Sequence, residues 1–173
     1  LFDDGWNKLR ERIFANQKRL GVIPADTQLE PWPTDVIKNW DDCTPEEKKL
    51  FIRQVEVFAA FAAYNDHEIG RVIQAVEDMG QIDNTLIIYI AGDNGGSPEG
   101  MLNGTPNEFT TFNGVGVPVK DQFLWYEFWG SDKTFPHFAA PWAWAMDTPF
   151  KWTKQVASHF GGTAQGMAMS WPG

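Results

Sequence analysis

Apolar residues in the first part of the chain recur at helical spacing. Trp6, Leu9, Ile13 and Leu20 stand among many Lys, Arg and Glu, which predicts an amphipathic helix from Trp6 to Leu20 with Asp3 or Asp4 as its cap. Residues 21 to 43 hold Pro24, Pro31 and Pro33 with several Asp and Asn, so they read as a surface connection that Trp32 and Trp40 pin down. Thr44-Pro45-Glu46-Glu47 is a capping box with proline at the first helical position. A long helix is predicted to start there. Phe51, Val55, Phe58, Ala62, Ile69, Ile73 and Val76 repeat at threes and fours, and Gly80 supplies a left-handed stop after Met79.

The pattern then changes. Thr85 to Gly92 is a nearly unbroken apolar run with Leu86, Ile87, Ile88 and Ile90, which predicts a strand covered on both faces inside a parallel sheet. Helix followed by strand gives an α/β unit of the doubly wound kind. The strand breaks off into Asp93-Asn94-Gly95-Gly96, at the end where parallel sheets bind ligands. An Asp carboxylate and an Asn carbonyl are hard oxygen donors, suited to calcium or magnesium rather than to zinc or copper. The same dipeptide also suits an Asx-type turn closing a strand, so by itself it is half a metal site at best.

Residues 95 to 149 lack sustained periodicity and are crowded with Gly, Asn, Pro and aromatic residues. A loop of that length is usually functional, and one short helix is expected in it, from Asp121 to Trp129. After Thr148-Pro149, the run Phe150 to Phe160 leads through Gly161-Gly162 into a short strand from Met167 to Trp171. There is no internal repeat.

Composition narrows the range of functions. The 173 residues carry 14 basic and 23 acidic side chains, a net charge of −9, which disfavours nucleic acid and anionic membrane surfaces as partners. Cys43 is the single cysteine, so an internal disulfide framework and a cysteine-based zinc site are both excluded. No stretch has the length and apolarity of a transmembrane helix. The chain opens without Met and ends on a strand that has just reached its turn, as expected of an internal piece of a longer polypeptide.

A second chemical constellation is Lys151-Trp152-Thr153-Lys154 followed by Ser158-His159-Phe160-Gly161-Gly162. A lysine there could set an ammonium against an anionic substrate oxygen, or could equally be a solvated surface group. His67, between Asp66 and Glu68 in the long helix, reads as a surface residue. His137 lies in an aromatic, proline-rich loop, and the nine tryptophans read as core and loop anchors.

The block from Thr44 through Gly104, with Glu56 to Ala60, Asp66 to Arg71, Leu86 to Asn94 and Glu99 to Gly104, resembles the middle of a bacterial arylsulfatase. The run Thr148 to Gly162 resembles the same family. The resemblance implies an alkaline-phosphatase-like α/β/α sandwich, of which residues 1–173 are part of a single catalytic domain. It also implies a bound divalent metal, calcium before magnesium, and hydrolysis of small-molecule sulfate esters through a formylglycine. Asp93 and Asn94 match the family's second pair of metal ligands, and Lys154 matches the lysine that contacts the sulfate. Thr163-Ala164-Gln165 departs from the pattern, which often has an arginine after Gly-Gly-Thr. A phosphodiesterase or phosphonate hydrolase on the same scaffold, or a non-catalytic binding protein that kept the fold, are the alternatives.

The family's other ligands are a tandem Asp pair upstream of a C/S-x-P-x-R motif that carries the nucleophile. Asp3-Asp4 and Cys43-Thr44-Pro45-Glu46-Glu47 imitate that order, but Glu47 stands where the arginine belongs and would repel a sulfate. The same residues are fully explained as a helix cap. The nucleophile is therefore expected outside this chain, and the piece alone is expected to be inactive.

Overall fold

The computed structural model describes residues 1–173. Helix α1 spans Gly5–Arg19, and its buried face is made by Trp6 and Arg10, with Leu9 packed beside them. Leu20, expected on that face, is exposed. Asp4 occupies the cap position without capping, because its carboxylate pairs with Arg12, while Asp3 pairs with the terminal ammonium. The connection that follows is pinned as expected: Trp40 is buried against Trp6, whose indole N–H donates to the Lys38 carbonyl at 3.0 Å.

Helix α2 spans Pro45–Asp78 and starts with the predicted box. The Glu47 N–H donates to Thr44 Oγ1 at 3.2 Å, and the Thr44 N–H donates to Glu47 Oε2 at 2.8 Å. Leu50, Phe51, Gln54 and Val55 are buried, but the apolar stripe then runs on into solvent, with Phe61 66% and Val72 67% exposed. The helix closes at Met79, and Gly80 takes a φ of +68° as its stop.

The core is completed from the region that looked irregular. Helix α5, Ala140–Met146 (α3 and α4 are the short helices Glu108–Phe112 and Val119–Gln122), buries Pro141, Trp142, Ala143, Trp144 and Ala145. A helix apolar all round leaves no periodic signature, which is why its sequence reads as loop. The Trp142 ring meets Trp6 edge-on at 5.4 Å and lies 5.7 Å from Trp40, and its N–H donates to the Phe51 carbonyl at 3.1 Å. Pairs of this kind add about 0.5 to 1.5 kcal/mol beyond the area they bury. In place of the single helix expected from Asp121 to Trp129, α4 is followed by a 3-10 turn over Phe123–Phe128.

Two buried amides fasten this region to α2. Gln54 donates to the Asn103 carbonyl at 2.8 Å and accepts from the Ala139 N–H at 3.0 Å, and Gln122 donates to the Gly104 carbonyl at 3.0 Å. Unpaired, such groups would each cost about 1 to 3 kcal/mol.

Strand β1, Ile87–Ile90, is not covered and not parallel. It pairs antiparallel with β2, Met167–Ser170, in a two-stranded sheet, with Ile87 opposite Ser170 and Ile90 opposite Met167. Ile88, Ile90, Met167 and Met169 are each more than half exposed. The apolar run does form a strand, but no other element of residues 1–173 packs a layer on either face. The architecture is mixed helix with a small sheet. Helix α6, Phe160–Thr163, precedes β2.

Candidate functional site

The Asp93–Asn94 turn follows β1 directly and is held from three directions. The Gly95 N–H donates to the Gly162 carbonyl at 3.2 Å, and the Gly96 N–H donates to Asp147 Oδ1 at 2.7 Å. The Gln165 amide donates to the Asn94 carbonyl at 2.5 Å, so the residues that depart from the expected pattern still brace the turn. Gly95 lies so close to the Gly161 carbonyl that a Cβ there would overlap it.

The donors on this turn are free. Asp93 is exposed and its carboxylate forms no ion pair within the chain. Asn94 donates its own amide N–H to the Gly95 carbonyl at 2.8 Å, which leaves Oδ1 as an uncommitted carbonyl donor. A carboxylate oxygen and an amide oxygen with no other partner fit a hard divalent cation. They do not complete its coordination.

Lys154 belongs to the same site. Its backbone N–H donates to the Gly96 carbonyl at 3.0 Å, so the lysine is strapped to the turn two residues past Asn94. Its ammonium reaches Glu99 Oε1 at 2.9 Å, and the other Glu99 oxygen accepts from Ser97 Oγ at 2.7 Å. Burial pushes the Glu99 carboxyl up, but the hydrogen bonds from Lys154 and Ser97 and the charges of Lys154 and His137 hold it below its ordinary value. His137, Glu99 and Glu108 bring ligand-type atoms within 4.8 Å of one another. The imidazole Nδ1 of His137 lies 3.0 Å from the Phe138 carbonyl, which fixes it as the protonated nitrogen.

Asp147 closes the other side. Burial raises its carboxyl to about 7, only partly offset by the Gly96 N–H, and its second oxygen is buried without a partner. Sequence reasoning assigned no role to Asp147 or Glu99. Glu99 opens the Glu99 to Gly104 block that resembles the family, but nothing local marks a carboxylate whose partner lies 55 residues away.

The side chains of the remaining candidates are engaged elsewhere or exposed. His159 bonds Ser158 through Nδ1 at 2.9 Å and lines a cleft of about 340 Å³ with Lys151 and Glu30, which pair at 3.0 Å. His67 is exposed on α2. The imitation motif is inert: Cys43 is buried, which pushes its thiol up to about 11, and Glu47 is committed to the cap and to Lys38 at 2.8 Å. A thiol so raised has almost no thiolate at neutral pH.

The sulfatase family profile matches residues 7–173. The chain belongs to the sulfatase family. It is 33% identical over 155 residues to an uncharacterized sulfatase of Schizosaccharomyces pombe (strain 972 / ATCC 24843), a match covering 88% of this chain and 26% of that protein. It is 27% identical over 174 residues to an arylsulfatase of Klebsiella aerogenes, covering 99% of this chain and 35% of the relative. The sulfatase chain thus spans about a quarter to a third of the length of these relatives. The family implies an α/β fold, with which helices around a small sheet are consistent. Sulfatases generally use a divalent metal, and the oxygen donors of Asp93 and Asn94 have the chemistry for one. No helix of this chain is long and apolar enough to cross a membrane.

Proposed function

We propose that this chain supplies one side of the active centre of a sulfuric ester hydrolase of the arylsulfatase type. The observation that carries the reading is the strap between Lys154 and Gly96, which joins a cation to a turn bearing two free oxygen donors. In this reading Asp93 and Asn94 are metal ligands, the metal is calcium, and it supplies charge to orient the nucleophile and screen the sulfate. Lys154 binds the substrate by setting its ammonium against a non-bridging sulfate oxygen, where it also stabilises charge that grows during S–O cleavage. The exposed face of Asp93 leaves room for the partner Asp pair of the intact domain, an α/β/α sandwich that extends β1 and β2. The formylglycine nucleophile lies outside this chain.

The test compares hydrolysis of matched aryl sulfate and aryl phosphate esters by the full-length polypeptide, beside the isolated 173-residue chain. Sulfate turnover by the former and none by the latter is expected. A preference for phosphate would instead make the protein a phosphodiesterase or phosphonate hydrolase, and turnover of neither would leave a non-catalytic protein on the sulfatase fold. Turnover by the isolated chain would contradict a nucleophile lying elsewhere.

A further inference from the structure

Glu99 has both carboxylate oxygens committed. One takes the Lys154 ammonium at 2.9 Å and the other the Ser97 hydroxyl at 2.7 Å, and the Ser97 hydroxyl also accepts from the Glu99 N–H at 3.2 Å. The carboxylate is therefore clamped to its own backbone loop before it meets the lysine. Its side chain is only 16% exposed, against 34% for Lys154. Lys154 is meanwhile fixed at its backbone by the Gly96 carbonyl. A lysine side chain has four rotatable carbons, so backbone fixation alone leaves its ammonium free to sweep a wide arc. The Glu99 bond removes that freedom.

The nearby Glu108 and His137 invite a different interpretation, a second cation site formed with Glu99. The hydrogen bonds argue against it. Each Glu99 oxygen already accepts a hydrogen bond, and the Lys154 ammonium at 2.9 Å already supplies positive charge to that carboxylate and would repel a second cation beside it.

We propose that Glu99 is a positioning residue for Lys154, holding the ammonium beside the Asp93–Asn94 turn so that it meets a tetrahedral anion in one orientation. This rests on the reading of Lys154 as the sulfate-contacting group. Glu99 is also a negative charge near that anion, so it opposes ground-state binding while it fixes geometry. The two effects separate in kinetics.

The decisive experiment is a double-mutant cycle in the full-length polypeptide with Glu99→Gln, Lys154→Met and both together, and with Glu99→Asp as a charge-retaining control. Glu99→Gln is expected to lower kcat by about tenfold or more while KM stays level or falls, since orientation is lost and repulsion relieved. Glu99→Asp should recover part of kcat. In the Lys154→Met background, Glu99→Gln should cost nothing further, because the group it positions is gone. A loss of equal size in both backgrounds, or a kcat within about twofold of wild type, would overturn the proposal. Normal sulfate turnover without coupling would overturn only the role of Glu99, whereas coupling on a phosphate ester would overturn only the sulfatase reading. If neither ester is turned over, carbon-detected NMR titration of Glu99 decides. Lys154→Met must raise its carboxyl toward the ordinary value, and an unmoved titration would sink the pairing.

Discussion

The two ends of this chain are built on opposite plans. At one end Trp6, Trp40, Phe51 and Trp142 enclose one another, with α1, the first turns of α2 and α5 sharing a single aromatic core. At the other end the second half of α2 and the β1–β2 ribbon carry equally apolar side chains into solvent. Hydrophobic content is therefore a poor guide to burial here, and what differs is whether a second element is available to cover the face. The turn that bears the candidate ligands hangs from the uncovered end. It holds its shape by backbone hydrogen bonds to Gly162 and by Asp147 and Lys154, not by a packed layer.

Replacing the centre of the core tests the contrast most severely. Trp142→Ala is expected to cost about 3 to 5 kcal/mol, through lost burial and a cavity, while Ile88→Ala in the ribbon should cost less than about 1 kcal/mol as a surface change. Urea denaturation followed by far-UV circular dichroism measures both, and equal losses would mean the ribbon is covered after all. Next in size is the cap at the boundary of the two plans. Thr44→Ala should destabilise by about 1 kcal/mol in the same measurement, since it removes one half of a reciprocal pair.

Two charge effects probe the turn. Folding raises the Asp147 carboxyl to about 7. The stability linked to that group is therefore fully present below its unfolded value of about 4 and is lost as pH rises through about 7. Asp147→Asn should accordingly raise Tm more at pH 8 than at pH 5, and a gain independent of pH would show that charge is not what the burial opposes. Glu99 has the opposite sign, because its folded carboxyl is depressed. Its stabilising share is present above about 4.3 and disappears as pH falls through the lower folded value. Lys154→Met should therefore cost about 1 kcal/mol near neutral pH, since Lys154 is 34% exposed and solvent screens its side of the pair, and the cost should shrink in acid.

What could be read in advance follows from the same contrast. The cap at Thr44, the stop at Gly80 and the strand at Ile87–Ile90 are written in neighbouring residues, so local chemistry reveals them. The Asp93–Asn94 turn and Lys154 were legible as candidates, and their union through Gly96 was not, since it depends on a hydrogen bond across the chain. Helix α5 hid because its residues are apolar on every side. The apolar run of β1 predicts a parallel, covered sheet, but a run of that kind specifies only a strand with apolar faces, not what covers them.

The contact between Gly95 and Gly161 has a use beyond this molecule. Each stands where a side chain would strike backbone: Gly95 against the Gly161 carbonyl across the contact, and Gly161 against the carbonyls of Lys151 and Trp152 within the lysine segment's own fold. The Asp-Asn turn and the lysine segment therefore come with a pair of blank positions, far apart in the text of a gene but meshed in space. A related sequence that keeps Asp-Asn and the lysine but writes a larger residue at the first blank has lost the fit between turn and segment, and one that does so at the second has lost the fold of the segment that carries the lysine.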